Sequence, residues 1–323
     1  MFMIIGLGSM GKRRIRLLKS ISNDYVVIGV DSRADRRKEA EDLFGIKVFG
    51  NLDEAFLQNP KNAIVCTSPL SHAEIISKCL DHNCNVFTEI NLVTDKYTEN
   101  IDLANKKKLI LFLSSTQMYK KEVQYIKDSV LNSQSLLNYT YHVGQYLPDW
   151  HPWETLNDFF VSDKRTNGCR ELFAIEFPWI IDTFGKIKNM HVIKNNISML
   201  DLKFEDNYLV MLEHASGHKG MIALDVVSRK AVRNFELYGE NIYLTWDGTP
   251  SGLIEYDFVN KVNKQINLYD NIERQDGYAS FVVENAYREE LETFCALIEG
   301  KGRTKYSFDD DFYTLDIISK IEE

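Results

Sequence analysis

The 323-residue chain has only 6 prolines, and its five cysteines, Cys66, Cys79, Cys84, Cys169 and Cys295, form no Cys-x-x-Cys pair. An odd, scattered set of thiols excludes a disulfide framework and a zinc knuckle, and predicts reduced thiols in a cytoplasmic protein. No apolar run approaches the ~20 residues that cross a bilayer, so no membrane partner is expected. The opening Met1–Ile5 stretch is too short for a secretory signal, so an unexported chain is expected. Positive charge is also short: 38 Lys+Arg against 47 Asp+Glu leave a net charge of −9. That balance argues against nucleic acid and anionic lipid as partners. There is no Gly-x-Ser-x-Gly elbow and no Gly-Lys-[Ser/Thr] phosphate loop. His214 and His218 are four apart but fall in a strand and turn without clustered carboxylates, so no metal site is expected.

The chain is 44% hydrophobic and 26% charged, with neither repeat nor low-complexity tract. At roughly 150 residues per domain this length suggests about two domains. Short Val/Ile/Phe runs alternate with helical patterns from Phe2 to Ser114, which is the β-α-β rhythm of a doubly wound parallel sheet covered on both faces. After about Asn138 the pattern becomes a series of strands, Tyr139–Gly144, His191–Leu200, Tyr208–His214, Gly220–Val227, Asn234–Tyr238 and Asn241–Thr245. Gly277–Gly300 then has helical spacing. The fold class read here is α/β: an N-terminal Rossmann domain over residues 1–117, then an α+β domain over 118–323 with a large open, mostly antiparallel sheet. Such a sheet, covered on one face only, predicts a homo-oligomer, a dimer or tetramer.

The sharpest motif is Gly6-Leu7-Gly8-Ser9-Met10-Gly11, directly after the first apolar run and before a helix that opens Lys12-Arg13-Arg14. Glycines allow a tight turn and let main-chain N–H groups approach a pyrophosphate at a helix N-terminus. Asp31 follows at the end of the next strand, 20 residues after Gly11, where a carboxylate can accept both ribose hydroxyls of NAD. Ser32, Arg33, Arg36 and Arg37 lie just beyond it and can neutralise a 2′-phosphate, so NAD is favoured and NADP stays open. Two further segments end strands on the side where open α/β sheets bind ligands. They are Cys66-Thr67-Ser68-Pro69-Leu70-Ser71-His72 and Thr88-Glu89-Ile90-Asn91.

Together these features resemble the Gfo/Idh/MocA oxidoreductases, which act mainly on sugars, sugar derivatives and polyols. The resemblance spans most of the chain: the glycine turn, Asp31, the Thr67-Ser68-Pro69-x-x-His72 segment, Glu89, then a large sheet domain. It implies coenzyme contacts from Gly6, Gly8, Ser9, Met10, Gly11, Asp31, Ser32, Arg33, Thr67, Ser68, Pro69, His72, Glu89 and Asn91. The stretch from His142 to Trp153 resembles members acting in surface-polysaccharide pathways. It suggests Asp149, Trp150 and Trp153 as sugar contacts, the alternative being a loop pinned by its aromatics.

The chain also departs from the family pattern. Where Glu-Lys-Pro is usual after the fifth strand, this chain has Glu89-Ile90-Asn91, and Ile175 and Pro178 stand where the family's helix carries His and Asp. Removing a hydride from an alcohol carbon needs a group to take the hydroxyl proton, so another residue must serve. Lys120 and His151 are the leading candidates, with Arg170 and Glu176 as substrate contacts; the plain alternatives are solvation for Lys120, local pairing with Glu171 for Arg170, and capping or bracing of the interdomain helix for Glu176. The reading is a NAD(P)-dependent oxidoreductase acting on a sugar or nucleotide-activated sugar in polysaccharide or glycan biosynthesis. The alternatives are a non-catalytic NAD- and sugar-binding protein, or an enzyme with tightly bound NAD and no net redox change.

Overall fold

The protein is described by a computed structural model covering residues 1–150, 160–275 and 281–323. Strands β1 (Phe2–Ile5), β2 (Val27–Val30), β3 (Lys47–Phe49), β4 (Asn62–Val65), β5 (Asn85–Thr88) and β6 (Leu111–Leu113) form one parallel sheet in the order β3-β2-β1-β4-β5-β6. Strands β1, β2 and β4 are buried at every residue, which is why they read as continuous apolar runs rather than alternating ones. Helices α1 (Ser9–Ile21), α2 (Ala34–Phe44), α3 (Leu52–Phe56), α4 (His72–Asp81) and α5 (Tyr97–Lys107) make the crossovers. The strand order reverses between β1 and β4, so the crevice outside their carboxyl ends is where such a sheet takes a ligand.

Beyond α6 (Lys121–Asn132), β7 (Asn138–Gly144) and α7 (Gly168–Phe184) come β8 (Ile187–Asn195), β9 (Asn207–His214), β10 (Lys219–Asp225), β11 (Val232–Tyr238), β12 (Tyr243–Trp246), β13 (Ile254–Asp257) and β14 (Val262–Gln265). They build a sheet in the order β14-β13-β12-β11-β7-β10-β9-β8, antiparallel except for the β7–β10 pair. The inward phase of β7, β11 and β12 carries Tyr139, Tyr141, Phe235 and Trp246, which pack with Trp179 and Phe184 of α7 in a cluster of edge-on and stacked rings. Helix α7 is apolar nearly all round, as a helix buried in a core must be. Among the described residues the outward phase of β8–β10 is uncovered. There Ile193 (57% exposed) opposes Leu209 (44%), and Met211 (55%) opposes Met221 (52%).

Helices α8 (Glu284–Ile298) and α9 (Phe308–Glu322) close the chain. It divides into two compact units, one of residues 1–115 with 287–315, the other of 116–286 with 316–323. The sequence reading runs the second domain from 118 to the end. Tyr287–Leu315 instead packs on the Rossmann unit, for reasons the side chains state: Phe294 of α8 meets Phe87 and Phe112, and Asp311 of α9 accepts from Tyr97 and Tyr306. The helix expected from Gly277 starts at Glu284, and Gly277 lies outside the described residues.

The Rossmann unit is organised on Arg14, whose side chain is fully buried. Its Nε donates to Glu89 Oε1 at 2.6 Å, Nη2 reaches Glu290 Oε2 at 2.7 Å, Nη1 reaches the Tyr287 carbonyl at 3.2 Å, and the guanidinium lies 4.5 Å from the Phe87 ring centre. Glu290 also accepts from Ser114 Oγ (3.0 Å) and the Ser115 N–H (2.7 Å), so one cation ties α1, β5, β6 and α8 together. Burial works against the Arg14 charge, but Glu89 and Glu290 more than reverse this and raise its pKa. Removing the cation leaves two buried carboxylates opposed. We therefore expect Arg14→Ala to lower stability by about 3–5 kcal/mol, read by urea unfolding of the intact chain. A loss below ~1 kcal/mol would show the clamp to be dispensable.

Candidate coenzyme and acid–base sites

Gly6 joins β1 to α1 with φ +91°, and a Cβ on it would lie 2.7 Å from the Cys66 carbonyl oxygen. A Cβ on Gly11 would come 1.9 Å from the Gly6 oxygen, so only glycine lets the helix start this close to the strand. Gly8 caps α1 without a side-chain hydrogen bond, and the first turn carries no acid. An uncapped helix end with a partial positive charge and no competing carboxylate fits an anionic pyrophosphate. Asp31 is buried at the end of β2. Its Oδ2 accepts the Leu7 N–H and its Oδ1 the Arg33 N–H, both at 2.8 Å, which locks acid and turn together and leaves each oxygen a lone pair for a ribose hydroxyl. Ser32 is exposed, and the Arg33 guanidinium is paired with Asp35 at 2.6 Å on the surface.

The remaining expected coenzyme residues divide into open and buried ones. Ser9 and Ser68 are exposed, Met10 and Thr67 are half-buried, and Pro69 opens the short helical turn that leads into α4. Ser71 Oγ donates to the Ser68 carbonyl (2.7 Å) and lies 2.8 Å from Thr67 Oγ1, whose hydroxyl can donate to it. His72 is buried. Its Nε2 lies 2.9 Å from the Thr67 oxygen, and its Nδ1 is 2.7 Å from Asn91 Oδ1 and 3.2 Å from Thr88 Oγ1. Burial lowers the His72 pKa, so the ring is neutral near pH 7. His72 and Asn91 thus brace two strand ends against each other, and Asn91 Nδ2 is buried without a partner. Glu89 is held by a different device: each of its oxygens accepts from Arg14, and Cys66 Sγ is 3.8 Å from Oε1, so the clamp fixes the carboxylate's orientation at the strand end.

In the second unit Lys120, just before α6, is 6% exposed. Its Nζ donates to the Phe281 carbonyl at 3.1 Å and lies 5.4 Å from the Trp246 ring centre. Burial, reinforced by the charge of Arg233, brings its pKa down to about 8 against the opposing pull of Glu176 and Glu122. Glu176 is fully enclosed. Oε1 accepts from Arg233 Nε (2.9 Å) and Gln117 Nε2 (3.2 Å), and Oε2 from Tyr141 OH and Trp179 Nε1 (both 2.8 Å). With four donors from its own chain it positions Arg233 and Gln117 and has no role as a substrate contact. Arg170 is corrected likewise: its guanidinium bonds Glu322 and Ser319, latching the end of α9 onto the start of α7.

Asp149 is exposed and Trp150 is half-buried with its ring 3.7 Å from where a Gly168 Cβ would lie. His151 and Trp153 lie outside the described residues. Ile90 and Ile175 are half-buried and Pro178 is buried. Glu171, which the sequence places beside Arg170 among the replacement groups, lies in the first turn of α7 and does not pair with Arg170: one of its carboxylate oxygens is buried without a partner, and burial raises its pKa to about 7. Arg233 escaped the sequence reading. Arg233 shares the inward phase of β11 with Phe235 and Leu237, so strand alternation alone would have placed a cation in the core.

Residues 1–115 match the family model described as the oxidoreductase family, NAD-binding Rossmann fold, Gfo/Idh/MocA. Over 133 residues the chain is 25% identical to a myo-inositol 2-dehydrogenase of Thermotoga maritima, a match spanning 40% of each protein. Among solved structures, an NADPH-dependent oxidoreductase of Desulfitobacterium hafniense superposes with TM-score 0.82 at 11% identity, over 98% of this chain and 93% of that one. A UDP-N-acetylglucosamine 3-dehydrogenase of Acidithiobacillus ferrooxidans gives 0.75 at 14% identity, over 99% and 95%. At such identities the structural likeness speaks for the fold. Residues 1–115, with the glycine turn and Asp31 in place, carry the NAD-binding Rossmann fold that the Gfo/Idh/MocA family model describes.

Proposed function

We propose that the chain is a NAD(P)-dependent oxidoreductase acting on a sugar or nucleotide-activated sugar in polysaccharide or glycan biosynthesis, with Lys120 as its acid–base group. The observation that carries this reading is a buried lysine whose pKa is drawn to about 8, in a chain that has isoleucine where the family keeps its lysine. The sugar class is supported by relatives that act on myo-inositol and on UDP-N-acetylglucosamine. A bound nicotinamide supplies a hydride acceptor or donor. Neutral Lys120 gives one N–H to the Phe281 carbonyl, which orients its lone pair, and takes the hydroxyl proton as the carbon is oxidised. Glu171 is a second group that titrates near neutrality, and the buried Oε1 of Gln117, which has no partner, is an acceptor for a substrate hydroxyl. His151 remains a candidate by sequence, and the protein is read as cytoplasmic.

A second reading, a protein that binds NAD and a sugar without turnover or holds NAD tightly without net redox change, draws on Ile90, Ile175 and Pro178. Titrating NADH fluorescence against a panel of sugars and nucleotide sugars separates the readings: consumption of the signal by one of them supports the enzyme, and binding without consumption supports the rival.

Four outcomes are expected. Oxidation depends on neutral Lys120, so kcat should fall about tenfold per pH unit below about 8 and level off above it. Lys120→Met should lower kcat by about 100-fold or more while leaving the NADH dissociation constant within about threefold; an unchanged kcat removes Lys120 from the chemistry. For Glu171 the folded pKa is raised, so its share of stability is complete below the unfolded carboxylate pKa and lost as pH rises through about 7. Glu171→Gln should therefore stabilise the protein by about 1–3 kcal/mol at pH 8 and be neutral near pH 4.5 in urea unfolding. The apolar rows on the open sheet face support a homo-oligomer joined through β8–β10. The double variant Met211→Glu and Met221→Glu should run as a monomer in light scattering, whereas an unaltered oligomer would move the interface elsewhere.

A further inference from the structure

We infer that the second unit holds a further small-molecule site, a cavity that takes a phosphorylated sugar by its phosphate. The cavity measures about 410 Å³, which is within the range of small-ligand sites, and none of its lining residues belongs to the Lys120–Glu176 cluster. Exposed Lys164 and Lys203 line it, with Asn196 and Leu202 and the buried Phe204 and Tyr208. The two carboxylates in its wall are already answered by the chain. Glu322 Oε1 accepts from Asn167 Nδ2 at 2.8 Å and Oε2 from the Arg170 guanidinium. Glu205 Oε2 accepts from Tyr208 OH at 3.3 Å, and Lys194 Nζ is 4.0 Å from Oε1. The two lysines of the lining are not answered: among the described residues their side chains have neither a hydrogen bond nor an ion pair. Lys164, Lys203, Arg170 and Lys194 thus stand against Glu205 and Glu322, an excess of positive charge in a chain whose net charge is −9. A phosphate monoester, close to divalent at neutral pH and with three acceptor oxygens, matches two unanswered ammonium groups better than a single carboxylate does.

Both walls are fixed before a ligand arrives, which lowers the cost of binding. Buried Asp206 accepts the Ile197 N–H (2.9 Å), the Ser198 N–H (3.1 Å) and Ser198 Oγ (2.5 Å), and so closes the loop that carries Leu202 and Lys203. On the other side Asn167 caps α7 by accepting the Arg170 N–H, and its Nδ2 donates to the Lys164 carbonyl at 3.1 Å as well as to Glu322. The turn bearing Lys164 is therefore tied to the start of α7 and the end of α9. Asn196 Nδ2 donates to the Phe204 carbonyl at 3.2 Å, which leaves Oδ1 to accept a hydroxyl. That acceptor and the apolar surface of Leu202 and Phe204 favour a polyol carrying the phosphate over the bare ion. With both carboxylates committed to donors of the chain, the cavity holds its ligand and offers no free base to react with it.

The test is calorimetric titration of the intact chain with glucose 6-phosphate, inorganic phosphate and glucose, at low and at high salt. Glucose 6-phosphate should bind at one site per chain, inorganic phosphate about tenfold more weakly, and glucose not at all over the same concentrations. Salt should weaken the binding, because the lysines are exposed. Lys164→Ala and Lys203→Ala should each weaken glucose 6-phosphate by about fivefold and the double variant by about 20-fold or more. Leu202→Trp narrows the cavity without altering its charge and should weaken the sugar phosphate more than the inorganic ion. Equal affinity for phosphate and glucose 6-phosphate overturns the inference, as does an affinity that the double variant leaves within about twofold. Binding that the double variant keeps and Lys120→Met loses belongs to the acid–base cluster and overturns it too, and so does the absence of binding by all three probes.

Discussion

A single guanidinium inside the Rossmann unit determines which residues remain available for chemistry. Arg14 projects from the helix whose first turn follows Gly6-Leu7-Gly8, and it reaches Glu89 at the end of β5 and Glu290 on α8 while resting on the Phe87 ring. A buried cation needs countercharge, and the second carboxylate is tolerated because Ser114 and the Ser115 N–H share its load. The direction of α1, and so the aim of its uncapped N-terminus, is fixed by this clamp. So is the orientation of Glu89, whose carboxylate is held by the same guanidinium at the end of β5.

In the second unit desolvation shifts two groups in opposite directions: down for the Lys120 ammonium, up for the Glu171 carboxyl. The contrast between the two glutamates of α7 shows why burial alone does not decide function. Glu176 is the more deeply enclosed, yet Arg233, Gln117, Tyr141 and Trp179 satisfy both its oxygens, so it acts as a fixed countercharge. Glu171, five residues earlier, retains a buried oxygen without a donor and so stays poised to take or give a proton.

What was legible in the sequence is what depends on near neighbours. The glycine turn, Asp31 and the alternation of strands and crossovers are set by backbone sterics and by periodicity within some thirty residues, and they stand where the sequence put them. The pairings that were not legible have distant partners: Arg170 meets Glu322 152 positions away, and Glu89 meets Arg14 75 positions away. The short strands β13 and β14 were missed for another reason: their residues are half-buried or exposed, so they carry little apolar signal. Lys120 was visible as a lysine at a helix start, but nothing local foretells that Phe281 and Trp246 will enclose it.

The open face of the second sheet follows from the same strand alternation that builds its core. On β9 and β10, Tyr208, Val210, Leu212, Ile222 and Leu224 turn inward, which leaves Leu209, Met211 and Met221 on the far side beside Ile193. Further along that face, in the neighbouring β7 and β11, the outward positions are polar. His142 Nε2 meets Asp225 at 2.8 Å, and Thr140 Oγ1 approaches Glu236 at 3.4 Å. The apolar rows are thus bordered on that face by satisfied polar groups, the His142–Asp225 and Thr140–Glu236 pairs, so strand alternation fixes which side is apolar while the strand's place in the sheet decides whether its outward positions are apolar or polar.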